Sequence, residues 1–113
     1  MPFINVKTNV EVSEEKSEQI KAKLGLAITA IPGKSEGWLM VGIEDNYKLY
    51  FKGTKVPAAM VEVSLYGKAS SNALGTLTSN ITGIMGDVLG ISSDRVYVSY
   101  MSTPDWGWNG SNF

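Results

Sequence analysis

Apolar positions along the chain repeat with two periods, and the switches between those periods mark out the elements. Phe3 to Val6 predicts a short strand opening directly at the N-terminus, closed by the polar Lys7-Thr8-Asn9. Ser13 is placed to cap a helix, with Glu14 and Glu15 at its positive end. Ile20, Leu24, Ala27, Ile28 and Ile31 then follow helical spacing, leaving lysines and glutamates outside, and Pro32-Gly33 ends the run. Trp38 to Ile43 is almost continuously apolar and predicts a strand with both faces covered. Asp45-Asn46 is turn chemistry, and Tyr47 to Phe51 alternates as a short strand would. After Gly53-Thr54 and Pro57, Ala58 to Tyr66 alternates strictly: Ala59, Val61, Val63 and Leu65 share one face, Met60, Glu62, Ser64 and Tyr66 the other.

Gly67 to Asn72 reads as a loop. Leu77, Ile81, Ile84, Met85 and Val88 form a second helical stripe, with Gly90 where a C′ glycine belongs and Ile91 just beyond it. A last main strand runs from Arg95 to Met101, and the tail from Thr103 to Phe113 is rich in Gly, Asn and Trp. The order divides near Pro57 into two strand–helix–strand units of similar length. Two such units form one sheet with both helices on one face. The other face still carries apolar residues, so burial against further copies, an oligomer, is the expectation.

At 113 residues the chain is one domain, residues 1–113, of ordinary globular composition: 43% hydrophobic and 19% charged. Ten basic and eleven acidic side chains give a net charge of −1 with no Lys/Arg run, which argues against nucleic acid or an anionic membrane as partner. The absence of cysteine excludes a disulfide framework, a thiol nucleophile and most structural zinc sites. The absence of histidine changes the picture more. It removes the commonest general base, so catalysis near neutral pH needs a perturbed carboxylate, a perturbed lysine or the chain's own amino terminus. MPFINVKTNV lacks the shape of a signal peptide and no stretch is long enough to span a membrane, so the expected address is cytoplasmic. The glycosylation patterns at Asn80 and Asn109 are read as chance.

Within those limits Pro2 is the sharpest candidate. Removal of Met1 would leave it as a secondary amine; an α-amino group titrates near ~8, and desolvation or a nearby cation pushes that value down. A strand beginning at the next residue would hold the amine on a rigid element. Lys34, just after the helix-ending Pro32-Gly33, could lower that pKa and bind a carboxylate, or simply complement a helix dipole. Ser64 with Tyr66, and Tyr97 with Ser99, are same-face pairs that line a pocket or form ordinary sheet surface. Trp106, Trp108 and Phe113 make an aromatic tail that covers a ligand or docks on a core. Gly83, Gly86 and Gly90 do not form a phosphate loop, and Glu62 is the one carboxylate to watch as an acid or metal ligand.

MPFINVKTN, Gly33-Lys34, Pro57, Gly67-Lys68, the run Asp94-Arg95-Val96-Tyr97 and the ending Gly107-Trp108-Asn109-Gly110-Ser111-Asn112-Phe113 resemble the macrophage migration inhibitory factor family, in that family's order and across essentially the whole chain. The resemblance implies an α+β tautomerase fold, two β-α-β units in a mixed four-stranded sheet, assembled as a homotrimer with sites between subunits. It implies keto–enol (phenylpyruvate) tautomerase and dopachrome isomerase activity on a small aromatic keto acid, with no cofactor and no metal. Pro2 then matches the catalytic base, Lys34 the substrate-binding lysine, and Tyr97 a pocket tyrosine from the adjacent subunit. Tyr66 stands where the family usually has isoleucine, and Ser99 where many members have asparagine, so substrate preference is expected to differ. Ser64, Trp106 and Phe113 complete the expected substrate-binding set. Ala58 and Val61 replace a Cys-x-x-Cys pair, so thiol redox chemistry is expected to be missing. The same resemblance implies a second role: a cytokine-like ligand for a cell-surface receptor, secreted without a signal peptide.

Overall fold

The computed structural model describes residues 1–113. Its main elements are β1 (Pro2–Thr8), α1 (Glu14–Ala27), β2 (Met40–Glu44), β3 (Ala59–Tyr66), α2 (Ser71–Leu89), β4 (Val96–Thr103), β5 (Gly107–Trp108) and β6 (Ser111–Asn112). The first four strands in space run β2-β1-β3-β4, and β5 with β6 forms a separate hairpin. Within each half the strands are parallel, β1 with β2 and β3 with β4. The two halves join antiparallel through β1 and β3. Two β-α-β units therefore make one mixed sheet, the α+β architecture expected.

Both helices start on the serine caps their sequences offer. Ser13 Oγ accepts from the Lys16 N–H at 3.2 Å and Ser70 Oγ from the Ala73 N–H at 3.1 Å, each filling one of the donors a helix start leaves free. The second cap extends α2 to Ser71, inside the stretch expected to be loop. At its other end Gly90 takes φ +68° and passes its N–H to the Gly86 carbonyl, while Ile91 reaches back to Met85. The first helix loosens into a 3-10 turn over Ile28–Ala30 before Pro32.

Alternation sorts the sheet into a dry face and an open one. Ile4, Val6, Val61, Val63 and Leu65 pack beneath Ile20, Leu24, Leu77, Ile81 and Met85, all essentially free of solvent. Burying one such side chain contributes about 1.5–3 kcal/mol. The open face is more polar than the pattern implied: Lys7 pairs with Glu62 at 3.0 Å and Asn5 donates to Glu44 at 2.8 Å. Apolar exposure there sits toward the ends, at Met40, Met101 and Tyr97.

Two expectations are corrected. Trp38 to Ile43 is not a strand covered on both faces: Trp38 lies in a 3-10 turn, and β2 begins at Met40 as an edge strand with a partly exposed side. Its unbroken apolarity reflects the lining of a cleft rather than a central position. Tyr47 to Phe51 is not a strand, because no edge of this chain lies beside it; only Phe51 and Thr54 bridge across a tight turn. With no ladder to join, carbonyls of this segment and of the loop that follows it to Pro57 are met by side chains. Asn9 Nδ2 donates to Leu49, Lys55 and Val56, and Arg95 to Phe51, Thr54, Val56 and Pro57. No helix is long and apolar enough to cross a membrane.

Candidate functional site

The start of β1 forms the floor of a cleft of about 420 Å³, lined by Pro2 and Phe3, by Trp38 to Met40, and by Trp106 to Trp108. Pro2 is buried and sits opposite Leu65 in the β1–β3 ladder, so its ring nitrogen is fixed by a central strand. A groove of similar size runs between α1 and α2, but it holds neither the chain terminus nor an aromatic side chain. The cleft and the first strand's start meet at Pro2.

Lys34 arrives there from the turn after α1. Gly33 adopts φ +83°, where a Cβ would be strained, and this reverses the chain so that the lysine points back at the sheet. Its ammonium donates to the Tyr66 carbonyl at 2.9 Å and lies 6.0 Å from the centre of the Tyr66 ring. The Tyr66 N–H in turn donates to the Met1 carbonyl at 3.2 Å. One lysine, one tyrosine backbone and the first residue thus form a continuous polar chain beside Pro2.

Aromatic side chains wall the rest. Trp38 meets Trp108 edge-on at 5.1 Å, Trp108 stacks on Phe113 at 6.4 Å, and Phe113 packs on Tyr66 at 5.1 Å. The C-terminal hairpin positions two of these rings. Asn109 and Gly110, at φ +52° and +87°, make the two-residue turn that right-twisted strands prefer, and the Phe113 N–H closes on the Trp106 carbonyl at 3.0 Å.

The terminal amine, that of Met1, is held below its ordinary value of 8.0. Burial is the larger cause, since it penalises the ammonium form, and the neighbouring charge of Lys34 adds to it. An amine in this corner is therefore biased toward its neutral, basic form.

Among the residues singled out from the sequence, Pro2, Lys34, Tyr66, Trp106 and Phe113 come together here. Ser64 and Ser99 do not: they line a shallow cavity of about 310 Å³ in the middle of the open sheet face, with Asn5 and Glu62. Tyr97 lies farther still, packed on Phe51 at 4.8 Å. It pairs with Met60 where Pro2 pairs with Leu65, five residues along β3, or about 17 Å at the rise of a strand. Glu62 is bound to Lys7 and gathers no further carboxylate around itself. Trp108, of the aromatic tail, also lines the cleft, and so does Trp38, which the sequence reading does not single out. Trp38 was absorbed into an apolar run, although its place four residues after Lys34 was the available signal.

Two β-α-β units on one mixed sheet, with a buried proline at the first strand's start, define the tautomerase-superfamily fold. Residues 1–113 match the family model described as macrophage migration inhibitory factor (MIF). The chain is 30% identical to macrophage migration inhibitory factor of Meriones unguiculatus over 115 aligned positions, covering 100% of this chain and 99% of that protein. Its fold superposes on the crystal structure of Leishmania major MIF2 with a TM-score of 0.94 at 32% identity, covering 100% and 97% of the two chains. The homologue from Prochlorococcus marinus gives 0.83 at 27% identity, covering 98% of each. The chain belongs to the macrophage migration inhibitory factor family.

Proposed function

We propose that this protein is a cofactor-independent keto–enol tautomerase acting on small aromatic 2-keto acids, with the amine of Pro2 as its base. The observation that carries this is the coincidence at one strand end of a buried proline, a cation that favours a neutral amine, and an aromatic wall. Removal of Met1 leaves the amine on Pro2. It also frees the Tyr66 N–H from the Met1 carbonyl, whose oxygen stands in for a carboxylate oxygen of the substrate. The freed N–H and the Lys34 ammonium then cradle that carboxylate, and the aryl group lies among Trp38, Trp108 and Phe113.

In the reaction the Pro2 lone pair takes a proton from the carbon beside the ketone. The C–H electrons form a C=C bond as the carbonyl π pair moves onto its oxygen, and the protonated amine then delivers the proton to that oxygen, giving the enol. Orientation does most of the work, since the base is locked in a strand and the carboxylate is held at two points.

The protomer offers only part of this site. Tyr97 and Ser99 point from the open face well away from Pro2, while Met40, Tyr50, Tyr97 and Met101 all expose more than half their surface. A homotrimer that brings Tyr97 of one copy to Pro2 of the next buries these side chains and gives the unpaired Tyr47–Phe51 segment an edge to join. A monomeric variant with full turnover would refute the shared site. The base is tested by Pro2→Gly, assayed with phenylpyruvate: turnover drops at least a hundredfold with the oligomer intact, within the 10²–10⁴ range of general base catalysis. Because the glycine variant still carries a terminal amine, unchanged turnover in it rules out a need for the proline ring, and unchanged turnover after selective acetylation of the terminus excludes the amine.

The names of the relatives motivate a second, compatible reading as a signalling ligand for a cell-surface receptor. In a cell-migration assay that reading requires Pro2→Gly to act like the unaltered protein; a parallel loss of both activities ties signalling to turnover.

A further inference from the structure

We propose that Asn109 is a deamidation site and that its conversion to isoaspartate unclasps the aromatic wall of the cleft. The chain has seven asparagines. Six precede a residue with a side chain: Val6, Val10, Tyr47, Ala73, Ile81 and Phe113; Asn109 alone precedes glycine. The difference is chemical, because deamidation begins when the next residue's backbone nitrogen attacks the asparagine Cγ, and a Cβ on that residue obstructs the approach.

The surroundings favour this attack. Asn109 and Gly110 are exposed at the hairpin tip, and the Gly110 N–H has no backbone partner. Ring closure needs rotation about the Asn109 Cα–C and Cα–Cβ bonds, and a two-residue turn clasped by paired strands restricts the first of these, so the turn must open first. The hairpin resists that with only two residue pairs, Gly107 with Asn112 and Trp108 with Ser111, and a ladder this short is marginal by itself.

In the first step the Gly110 N–Cγ bond forms, the Cγ–NH₂ bond breaks, and ammonia leaves carrying the Gly110 amide proton. Water then opens the five-membered imide at one carbonyl or the other. One opening gives aspartate with an unchanged backbone. The other gives isoaspartate, which inserts an extra carbon into the main chain between Trp108 and Ser111. A two-residue turn cannot absorb that atom and keep both pairs in register. Phe113 loses its bond to the Trp106 carbonyl, and Trp108 loses its contact with Trp38. The modification stands on the hairpin alone; only its effect on turnover rests on the tautomerase reading.

The test is to incubate the full-length protein in mildly alkaline buffer and follow each asparagine by peptide mass mapping, with isoaspartate identified by enzymatic methylation. Asn109 is expected to gain one dalton roughly tenfold faster than Asn72, its nearest competitor in steric terms. Tryptophan fluorescence should shift in proportion to isoaspartate. Asn109→Gly keeps the turn's positive φ and cannot deamidate, so its fluorescence should stay constant through the same incubation. Asn109→Asp, with an unaltered backbone, should resemble the fresh protein. The site is overturned if Asn109 reacts no faster than Asn72. The unclasping is overturned if isoaspartate accumulates while fluorescence is unchanged. Turnover that survives a full fluorescence shift would count against the tautomerase reading, leaving the modification in place.

Discussion

Replacing Lys34 by methionine keeps the aliphatic stem but removes the ammonium, and two separable effects should follow. In the protein that ammonium makes one hydrogen bond, at 2.9 Å to the Tyr66 carbonyl, and is partly buried against the Tyr66 ring. Its hydrogen bond to a substrate carboxylate would contribute about 1.5–3 kcal/mol, as bonds to charged groups do, and the half-open setting places it in the lower part of that range. At 1.36 kcal/mol per decade, kcat/KM for phenylpyruvate should fall about tenfold to thirtyfold, mostly through KM. For the methyl ester of the same keto acid, which carries no carboxylate charge, the loss should be small. The second effect concerns pH. On the proposed mechanism the base works as the neutral amine, so turnover falls as pH drops through its pKa. Burial first and the Lys34 charge second lower the pKa of the Met1 amine, and the same charge would disfavour the ammonium form of an amine on Pro2. Without it the pKa rises, and the acid limb of the kcat/KM profile moves to higher pH. Initial rates for acid and ester across pH 5 to 9, roughly the range in which an α-amine titrates, measure both effects. An equal loss for acid and ester, with an unmoved acid limb, would show that Lys34 neither binds carboxylate nor tunes the base.

Two further predictions concern the scaffold. Arg95→Ala removes donors from four carbonyls of the segment between Phe51 and Pro57. Water can replace those at the exposed bonds, so the expected loss is about 2–3 kcal/mol rather than the sum of four charged bonds, with faster amide exchange confined to that segment; an unchanged urea midpoint would contradict this. Ile81→Ala, at a position with no solvent exposure under the sheet, should cost about 2–5 kcal/mol and lower the thermal midpoint while leaving KM in the surviving folded protein unaltered.

Much of the fold could be read from the residues because the two central strands, β1 and β3, each have one buried face. In β3 the alternation of Ala59, Val61, Val63 and Leu65 with polar neighbours can be satisfied only by a strand lying on something dry, and the helices' stripes supply it. The failures have a common origin. Apolarity records that a residue is shielded, not what shields it. Trp38 and Leu39 extend an apolar run because they line the cleft, and from sequence alone such a run is indistinguishable from a covered strand. Tyr47 to Phe51 has the alternation of a strand, but pairing is decided by which edge is available, and this chain alone provides none. The C-terminal hairpin was invisible for the opposite reason. Asn109-Gly110 is a strong turn signal, but arms of two residues carry no periodicity.

The site was legible in a different way, by elimination first and resemblance second. A chain without histidine or cysteine leaves few groups that titrate near neutrality, which made the amino terminus worth considering before any fold was known. What elimination could not supply is why an amine there would be basic and useful. That depends on three long-range placements: β1 in the middle of the sheet beside β3, the Gly33 turn that returns Lys34 to the Tyr66 carbonyl, and the hairpin that brings Trp108 and Phe113 over the same corner. Each is set by packing far from Pro2 in sequence. The proposed base needs no special side chain, so its reactivity would be a property of the whole fold, and a distant change that frees β1 from β3 should raise the amine's pKa, as removing Lys34 would, moving the acid limb of the rate profile to higher pH.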